Sequence, residues 1–367
     1  MALPVLPRGA AYIMLNAPAR RNALSLSELR SLRDQLIKAN TSPTTGRLLL
    51  LPPFKPSVLA SLEQAHSRLS ASSGPSPPKA SPKLNLDANH TGTPSHQPPG
   101  QQQQQQEAAE EEDYTWLTSP MHFSHTRSTL PRVLVLASSP GPVFSSGHDL
   151  GELRTASSSQ ISETFRLCAE VMTLLRRSPQ LIVGRIAGHA IAAGCQLALA
   201  TDLPIAHERV KFRLPGATLG LPCSSPAAVV ARRVGRARGW RMVALGEDWG
   251  AEELEDVVRV VKREEHEEGD REEGLVRALD REVGRTVDRL LAMSPQQSAM
   301  GKWAFWTQVG ITGREDRGGG SDGLEDALAW TGRVMALHAK SEDAQEGISA
   351  FLEKRPAVWK SVAENQQ

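Results

Sequence analysis

The sequence has few cysteines, no excess charge of either sign and no long apolar run. Its three cysteines, Cys168, Cys195 and Cys223, are too few and too scattered for a disulfide framework or a zinc site. We therefore expect a reducing compartment and no bound metal. Lys and Arg total 42 against 41 Asp and Glu, so bulk charge does not indicate nucleic acid or a membrane surface as a partner. No segment approaches ~18 consecutive apolar residues, so we expect no membrane span.

The N-terminal part reads as a strand followed by a helix. AAYIMLN (Ala10–Asn16) predicts the strand, and Ser25 or Ser27 could cap the helix. The apolar face of that helix is formed by leucines at helical spacing, namely Leu26, Leu29, Leu32 and Leu36.

A segment of different composition separates this start from the rest of the chain. Residues 41–130 contain SSGPSPPKASPK, the glutamine run Gln101–Gln106 and the acidic run Glu107–Asp113. Few residues there could bury enough apolar surface to become ordered, which predicts a low-complexity, mostly disordered insertion. LLLLPPF (Leu48–Phe54) and a short helix over Val58–Leu69 are the parts that could pack on the body.

From Arg132 onward strands and helices alternate, which indicates α/β architecture. Beyond Ala227 the pattern is mainly helical. The predicted elements are a strand over Arg132–Ala137, a helix over Ser162–Arg176, a buried strand over Gln180–Ile186 and a helix over Ala193–Thr201.

Two apolar runs break at small residues and restart as helices: Val133–Leu150 and Val183–Asp202. The first N–H groups of each helix lack an intrahelical partner. If the two turns face each other, they supply paired backbone donors for an oxygen that becomes negative during a reaction.

These turns and their surroundings resemble the enoyl-CoA hydratase/isomerase (crotonase) family over about residues 10–40 and 131–359. Any one block is a weak signal, whereas all of them in this order are specific. The blocks are ARRNALS (Ala19–Ser25), FSSGHDL (Phe144–Leu150), AGHAIAAGCQLALATD (Ala187–Asp202) with FRLPGATLGLPCSSP (Phe212–Pro226), and EGISAFLEKRPAVW (Glu346–Trp359).

The resemblance implies a crotonase-like ββα superhelix core with a helical C-terminal part, assembled as a homotrimer or a hexamer. It divides the chain into the start of the core (1–40), the insertion (41–130), the core with the oxyanion turns (131–258) and a helical part that covers CoA and makes the trimer contacts (259–367).

The resemblance also assigns an oxyanion hole to the backbone N–H groups of His148 and Ala193. Where hydratases of the family have two glutamates, this chain has Gln196 and Gly216. Glutamine has no useful basicity near neutral pH and glycine has no side chain, so strong hydratase activity is not expected. His148 is the best replacement acid–base group, and the alternative is that its ring packs or faces solvent.

For the CoA moiety, which belongs to the substrate and is no separate cofactor, the resemblance assigns several contacts. Arg20 or Arg21 would meet a phosphate, Ala23 would offer backbone to the adenine, and Phe351 and Lys354 would cover the nucleotide, in many members that of a neighbouring subunit. The alternative for the last pair is a solvated C-terminal helix.

The function implied is binding of acyl-CoA thioesters in fatty-acid metabolism, with enoyl-CoA hydratase/isomerase-like chemistry. Two alternatives stay open: a non-catalytic acyl-CoA sensor or assembly subunit, and an interaction role for the glutamine-rich segment. By resemblance the location is mitochondrial, with cytoplasmic as the alternative, because no transit peptide is evident before the first predicted strand.

Overall fold

A computed structural model describes residues 3–72, 114–221, 223–263, 271–311 and 341–362. In chain order the helices are α1 (Leu26–Asn40), α2 (Val58–Ser72), α3 (Thr115–Thr118), α4 (Pro120–Thr126), α5 (Leu150–Thr155), α6 (Ser158–Arg177), α7 (Ala193–Ala200), α8 (Ser224–Val234), α9 (Arg236–Leu245), α10 (Arg271–Leu291), α11 (Pro295–Val309) and α12 (Glu342–Glu353). The strands are β1 (Ala10–Leu15), β2 (Val133–Ser138), β3 (Val143–Ser145), β4 (Leu181–Ile186), β5 (His189–Ile191), β6 (Leu203–His207), β7 (Lys211–Arg213), β8 (Asp248–Gly250) and β9 (Arg259–Val261).

A parallel sheet of five strands, in the order β1-β2-β4-β6-β9, forms the centre of the described structure. β2 is buried along its whole length because helices cover both faces of the sheet. Its side chains alternate between the faces: Leu134 and Leu136 join the main core, whereas Val133 and Val135 pack with residues of α10.

A smaller sheet, in the order β3-β5-β7-β8, carries the turns that the sequence singled out. β3, β5 and β7 are parallel and β8 is antiparallel to β7. Because parallel neighbours end at the same edge, the turn after β3 and the turn after β5 are brought side by side.

α1 forms as the leucine spacing predicts. The Ser25 hydroxyl accepts a hydrogen bond from the Glu28 N–H at 3.2 Å, so Ser25 is the N-cap. Leu29, Leu32 and Leu36 are buried in the main core, where α1 lies against α6.

Both flanks of the predicted insertion fold against α11, so the expected disorder of 41–130 does not extend to them. The reason is their content of large apolar side chains, which form a second core around the buried indole of Trp303. Its Nε1–H donates to the Pro53 carbonyl at 3.2 Å. The flanking residues in this core are Leu49, Leu51, Leu59, Leu62, Tyr114, Trp116, Leu117 and Phe123. Residues 73–113, with the glutamine run, lie outside the described residues.

None of the helices described is both long and apolar enough to cross a bilayer. Across the described ranges, no three His, Cys, Asp or Glu side chains come together in a way that could hold a metal ion.

Candidate active site

The first turn joins β3 to α5 and is held by the segment before α1. The Leu24 N–H donates to the Gly147 carbonyl at 2.7 Å, and the Ser146 N–H donates to the Arg21 carbonyl at 3.1 Å. Gly147 has φ of +84°, a conformation that other residues adopt only with strain. The turn therefore leads from β3 past Gly147 to His148. The Gly147 carbonyl and the Ser146 N–H hold it to the segment before α1.

The second turn joins β5 to α7. Ala192 has φ of +51° and ψ of −119°, which is unusual for a residue with a Cβ, and its N–H donates to the Arg213 carbonyl at 2.8 Å. Helix α7 begins at the next residue, so the Ala193 N–H is a first-turn donor without an intrahelical acceptor.

The two turns touch through positions that require glycine. A Cβ on Gly147 would lie 2.8 Å from the Ala192 Cβ and 3.1 Å from the Ala193 nitrogen. A Cβ on Gly194 would lie 2.2 Å from the Ser145 carbonyl oxygen. Any side chain at either glycine would push the turns apart, so these residues set the close approach.

The contact leaves the two predicted donors unused. Across the described ranges, neither the His148 N–H nor the Ala193 N–H donates a hydrogen bond. Backbone N–H groups that stay unpaired inside a fold are rare, and a ligand oxygen is one of the partners that can satisfy them.

An open cleft of about 760 Å³ lies at the first turn. It brings together four of the residues that the sequence assigned to the site: Arg20, Arg21, Ala23 and His148. The Arg20 side chain is 66% exposed, and its guanidinium is 2.8 Å from a carboxylate oxygen of Asp149.

Asp149 has a structural role in this cleft. Its other carboxylate oxygen accepts the Glu152 N–H at 3.0 Å and so caps α5. This hydrogen bond, with the added effect of Arg20, lowers the pKa of the Asp149 carboxyl below its usual value. The sequence reasoning missed Glu152, whose carboxylate accepts the Leu26 N–H at 3.1 Å and ties the cleft to α1. The signal was available, because residues 149 and 152 have the spacing of an N-cap and its third helical position.

The His148 ring packs against protein. It lies edge-on to the Phe165 ring, with 4.9 Å between centroids, and its Nε2 is buried without a partner among the described residues. Burial lowers the pKa of His148 to about 4, because the charged ring would lose its hydration. The ring is therefore neutral at physiological pH. Of the two alternatives that the sequence left open, the geometry favours packing of the ring over acid–base catalysis.

Gln196 is fixed between two helices. Its side chain is buried, and its Nε2 donates to the Ser225 carbonyl in α8 at 3.2 Å. Its Oε1 is 3.9 Å from the Cys168 Sγ of α6. These contacts occupy the amide, so it bonds to the core and does not line the cleft.

Gly216 lies where the chain folds back on itself. A Cβ at this position would be 2.1 Å from the Leu221 carbonyl oxygen and 2.7 Å from the Cys223 Sγ. The space next to Gly216 is thus already filled, and burial raises the pKa of the Cys223 thiol that helps to fill it. Neither position of the missing glutamates presents an acid or a base.

The C-terminal pair predicted to cover CoA is not part of the cleft of this chain. Phe351 lies in α12, and its side chain is outside the described residues. Lys354 is exposed just after α12, with φ of +55°, and does not line the cleft. The assignment of both residues stays a prediction.

Sequence and structure comparisons place these features in context. A protein-family model described as enoyl-CoA hydratase/isomerase matches residues 123–272. Enoyl-CoA hydratase domain-containing protein 3, mitochondrial, of Rattus norvegicus is 34% identical over 229 residues, covering 62% of this chain and 69% of the rat protein. The 2,3-dehydroadipyl-CoA hydratase of Escherichia coli strain K12 is 27% identical over 219 residues, or 59% of this chain and 76% of the bacterial protein.

Solved structures agree in fold. An enoyl-CoA hydratase of Mycobacterium smegmatis superposes with a TM-score of 0.59 at 26% identity, covering 98% of this chain and 99% of that one. Human enoyl-CoA hydratase domain-containing protein 3 superposes with a TM-score of 0.60 at 24% identity, covering 97% and 98%. The predicted α/β crotonase-like architecture with a helical C-terminal part is confirmed, and with it the resemblance to domain-containing protein 3. On the identity and coverage of these relatives, the chain belongs to the enoyl-CoA hydratase/isomerase (crotonase) family.

Proposed function

We propose that the protein binds acyl-CoA thioesters of fatty-acid metabolism and polarises the thioester carbonyl between the N–H groups of His148 and Ala193. The observation that carries the proposal is the contact of Gly147 with Ala192 and Ala193, which leaves both N–H groups without an acceptor. Arg20, Arg21 and Ala23 lie in the adjoining cleft, where they would meet the nucleotide end of CoA.

Within this proposal the protein is a poor hydratase. Hydration needs a water held between a base and an acid, a contribution of ~100–10,000-fold in rate. Gln196 is bonded into the core, and Gly216 is covered by the Leu221 carbonyl. The chemistry that remains is the kind that needs only stabilisation of an enolate or oxyanion, such as isomerisation, decarboxylation or thioester hydrolysis.

The second candidate function is a non-catalytic acyl-CoA sensor or assembly subunit. It is favoured by the low pKa of His148, which keeps this imidazole neutral beside the proposed carbonyl site. It is also favoured by the Leu221 carbonyl, which fills the space next to Gly216. The two candidates share the binding site and differ only in whether bound thioester is converted.

The test is isothermal titration of the purified protein with acetyl-, crotonyl- and longer acyl-CoA, with mass analysis of each mixture. A matched thioether, which has the same chain without the carbonyl, isolates the contribution of the two N–H groups. We expect the thioester to bind more tightly than the thioether. Turnover favours an enzyme, binding without turnover favours the sensor, and no binding of any CoA derivative contradicts the proposal.

A pair of variants links this binding to the turns. In Gly147→Ala the new Cβ would overlap the Ala192 Cβ, so the preference for thioester should fall by roughly 2–10-fold, the net worth of one hydrogen bond to a neutral carbonyl. Gly284→Ala in α10 is the control, because nothing lies within 4 Å of its Cβ. If the two variants prefer the thioester over the thioether equally, the turns do not bind the carbonyl.

Location and assembly belong to the same proposal. The names of the relatives in rat and human place those proteins in mitochondria, and we extend this location to the present chain. We also propose a homotrimer or hexamer, with Phe351 and Lys354 covering CoA. Light scattering of the purified protein measures the mass directly, and a monomer that binds acyl-CoA normally would contradict this part.

A further inference from the structure

An interior cavity lies between α4, the start of β2 and the C-terminal segment, and it shares no lining residue with the cleft. Phe123, Gln180 and Ser361 contribute to its wall, and each is buried. The cavity has a volume of about 10 Å³, which is about enough for one water molecule. Its unusual feature is that two arginines, Arg127 and Arg132, line it together.

Arg127 is a buried cation with incomplete bonding. The residue is 6% exposed, its Nη2 donates to the Pro131 carbonyl at 3.4 Å, and its guanidinium lies 5.7 Å from the centre of the Phe123 ring. Its Nη1 is buried and has no hydrogen-bond partner. Arginine does not lose its proton in proteins, so the side chain stays positively charged in this environment.

Arg132, at the other end of the short Arg127–Arg132 segment, is partly buried. Its Nη2 donates to the Leu291 carbonyl, and its Nε is buried without a partner. None of the residues that line the cavity is acidic. Across the described ranges, neither arginine forms an ion pair. Burial lowers the pKa of both guanidinium groups, that of Arg127 to about 9, in the direction expected for charges without a counterion.

We propose that this cavity binds one small monovalent inorganic anion, such as chloride, between the Arg127 and Arg132 guanidinium groups. Buried charges in proteins are normally paired, and an anion would supply the missing charge and accept both unpartnered N–H groups. The small volume of the cavity favours a monatomic anion over a larger polyatomic anion such as sulfate. A water molecule is the competing occupant, because it could also donate to the unpartnered Gln180 Oε1, but it would leave both positive charges uncompensated.

Unfolding of the full chain at neutral pH, with chloride exchanged for gluconate at constant ionic strength, tests the proposal. An anion that binds only the folded protein lowers the unfolding equilibrium constant by the factor 1 + [chloride]/Kd, which is roughly tenfold when chloride is at about ten times its dissociation constant. Arg127→Met should remove the dependence on chloride. Arg30→Met, which breaks only the exposed pair with Glu163, should keep it.

A crystal grown in bromide gives a second readout that does not depend on whether the Arg127 variant folds. An anomalous peak between the two guanidinium groups supports the site. A water without anomalous signal at that position overturns it, as does a chloride effect that is absent or that persists in Arg127→Met. Acyl-CoA binding is not involved in either readout, so the outcome is independent of the proposed function.

Discussion

At the scale of single residues, Gln196 and Gly216, which the resemblance matches to two hydratase glutamates, differ in how much room they leave for an acid. Gln196 keeps the size of a glutamate but bonds to the Ser225 carbonyl, an acceptor that a carboxylate would repel. At Gly216 both a carboxyl group and the space for one are absent, because the Leu221 carbonyl lies where a Cβ would be.

We therefore expect the double change Gln196→Glu with Gly216→Glu to give no hydratase activity and to lower stability. An ionised carboxyl at 196 would lie next to the Ser225 carbonyl without a donor, at a cost of about 1–3 kcal/mol, and this raises the pKa of the new carboxyl. Crotonyl-CoA hydration and urea unfolding of the double and single variants measure both effects. A double variant that hydrates crotonyl-CoA at a substantial rate would refute this view of the site.

The lowered pKa of His148 predicts that the stability of the folded protein depends on pH. Its pKa is about 4 in the folded protein against an ordinary 6.5, so the unfolded chain binds this proton more readily. Stability from this group is complete above about pH 6.5 and is lost as the pH falls toward 4, by roughly 3 kcal/mol in total. Urea unfolding between pH 7.5 and 4.5 should show a shallower pH slope in His148→Phe than in the parent chain. Equal slopes would mean that the ring is not desolvated.

At the scale of elements, one buried ion pair joins α11 to the sheet. The Lys302 Nζ is 2.7 Å from a carboxylate oxygen of Asp202 and also donates to the Leu175 and Gln180 carbonyls. The same oxygen of Asp202 accepts the Ile182 N–H at 2.9 Å. Asp202 thus has a structural role, and α11 depends on it.

Lys302→Met should destabilise the protein by about 3–5 kcal/mol, because it leaves the Asp202 carboxylate buried without its cation. Arg30→Met is a matched control, since its pair with Glu163 is exposed and such pairs are worth at most ~1 kcal/mol. Denaturant midpoints of the two variants give the comparison. A loss in Lys302→Met no larger than in the control would mean that the buried pair does not hold α11.

At the scale of the whole molecule, the insertion divides into flanks that belong to a core and a middle that the structure does not describe. Removing residues 43–128 would delete the partners of Trp303, so such a deletion cannot separate binding from folding. A Gly/Ser linker in place of residues 73–113 leaves that core intact.

We expect this shortened chain to keep its unfolding midpoint and its acyl-CoA affinity. Trp303→Ala, by contrast, should cost about 3–5 kcal/mol, because it empties the centre of the second core. Acyl-CoA titration and thermal unfolding of both proteins measure the difference. Loss of acyl-CoA binding in the shortened but folded chain would assign a role in binding to the glutamine-rich segment.

The sequence predicted the features that depend on local pattern. The leucines of α1, its serine cap, the strand β2 and the helix start at Ala193 all follow from spacing and from small residues at turns. It could not predict that Leu221 covers Gly216, because this depends on the exact geometry of a short turn. Nor could it predict the cavity at Arg127 and Arg132, because distant segments such as that of Pro295 complete its wall. The sequence left open that the leucine-rich N-terminal flank packs on the body, and it does. Residues 114–130 were judged by the average composition around them, which hid Tyr114, Trp116, Leu117 and Phe123 as partners of α11.

The filled space beside Gly216 also limits how this lineage can change. A single codon change at 216 would place a side chain on the Leu221 carbonyl, so an acid there would first be selected against as a folding defect. The loop through Leu221 and Cys223 would have to move earlier, in a protein that gains nothing from the movement. An acid at 216 therefore requires at least two ordered changes, and descendants of this chain are expected to keep a residue without a carboxyl group there.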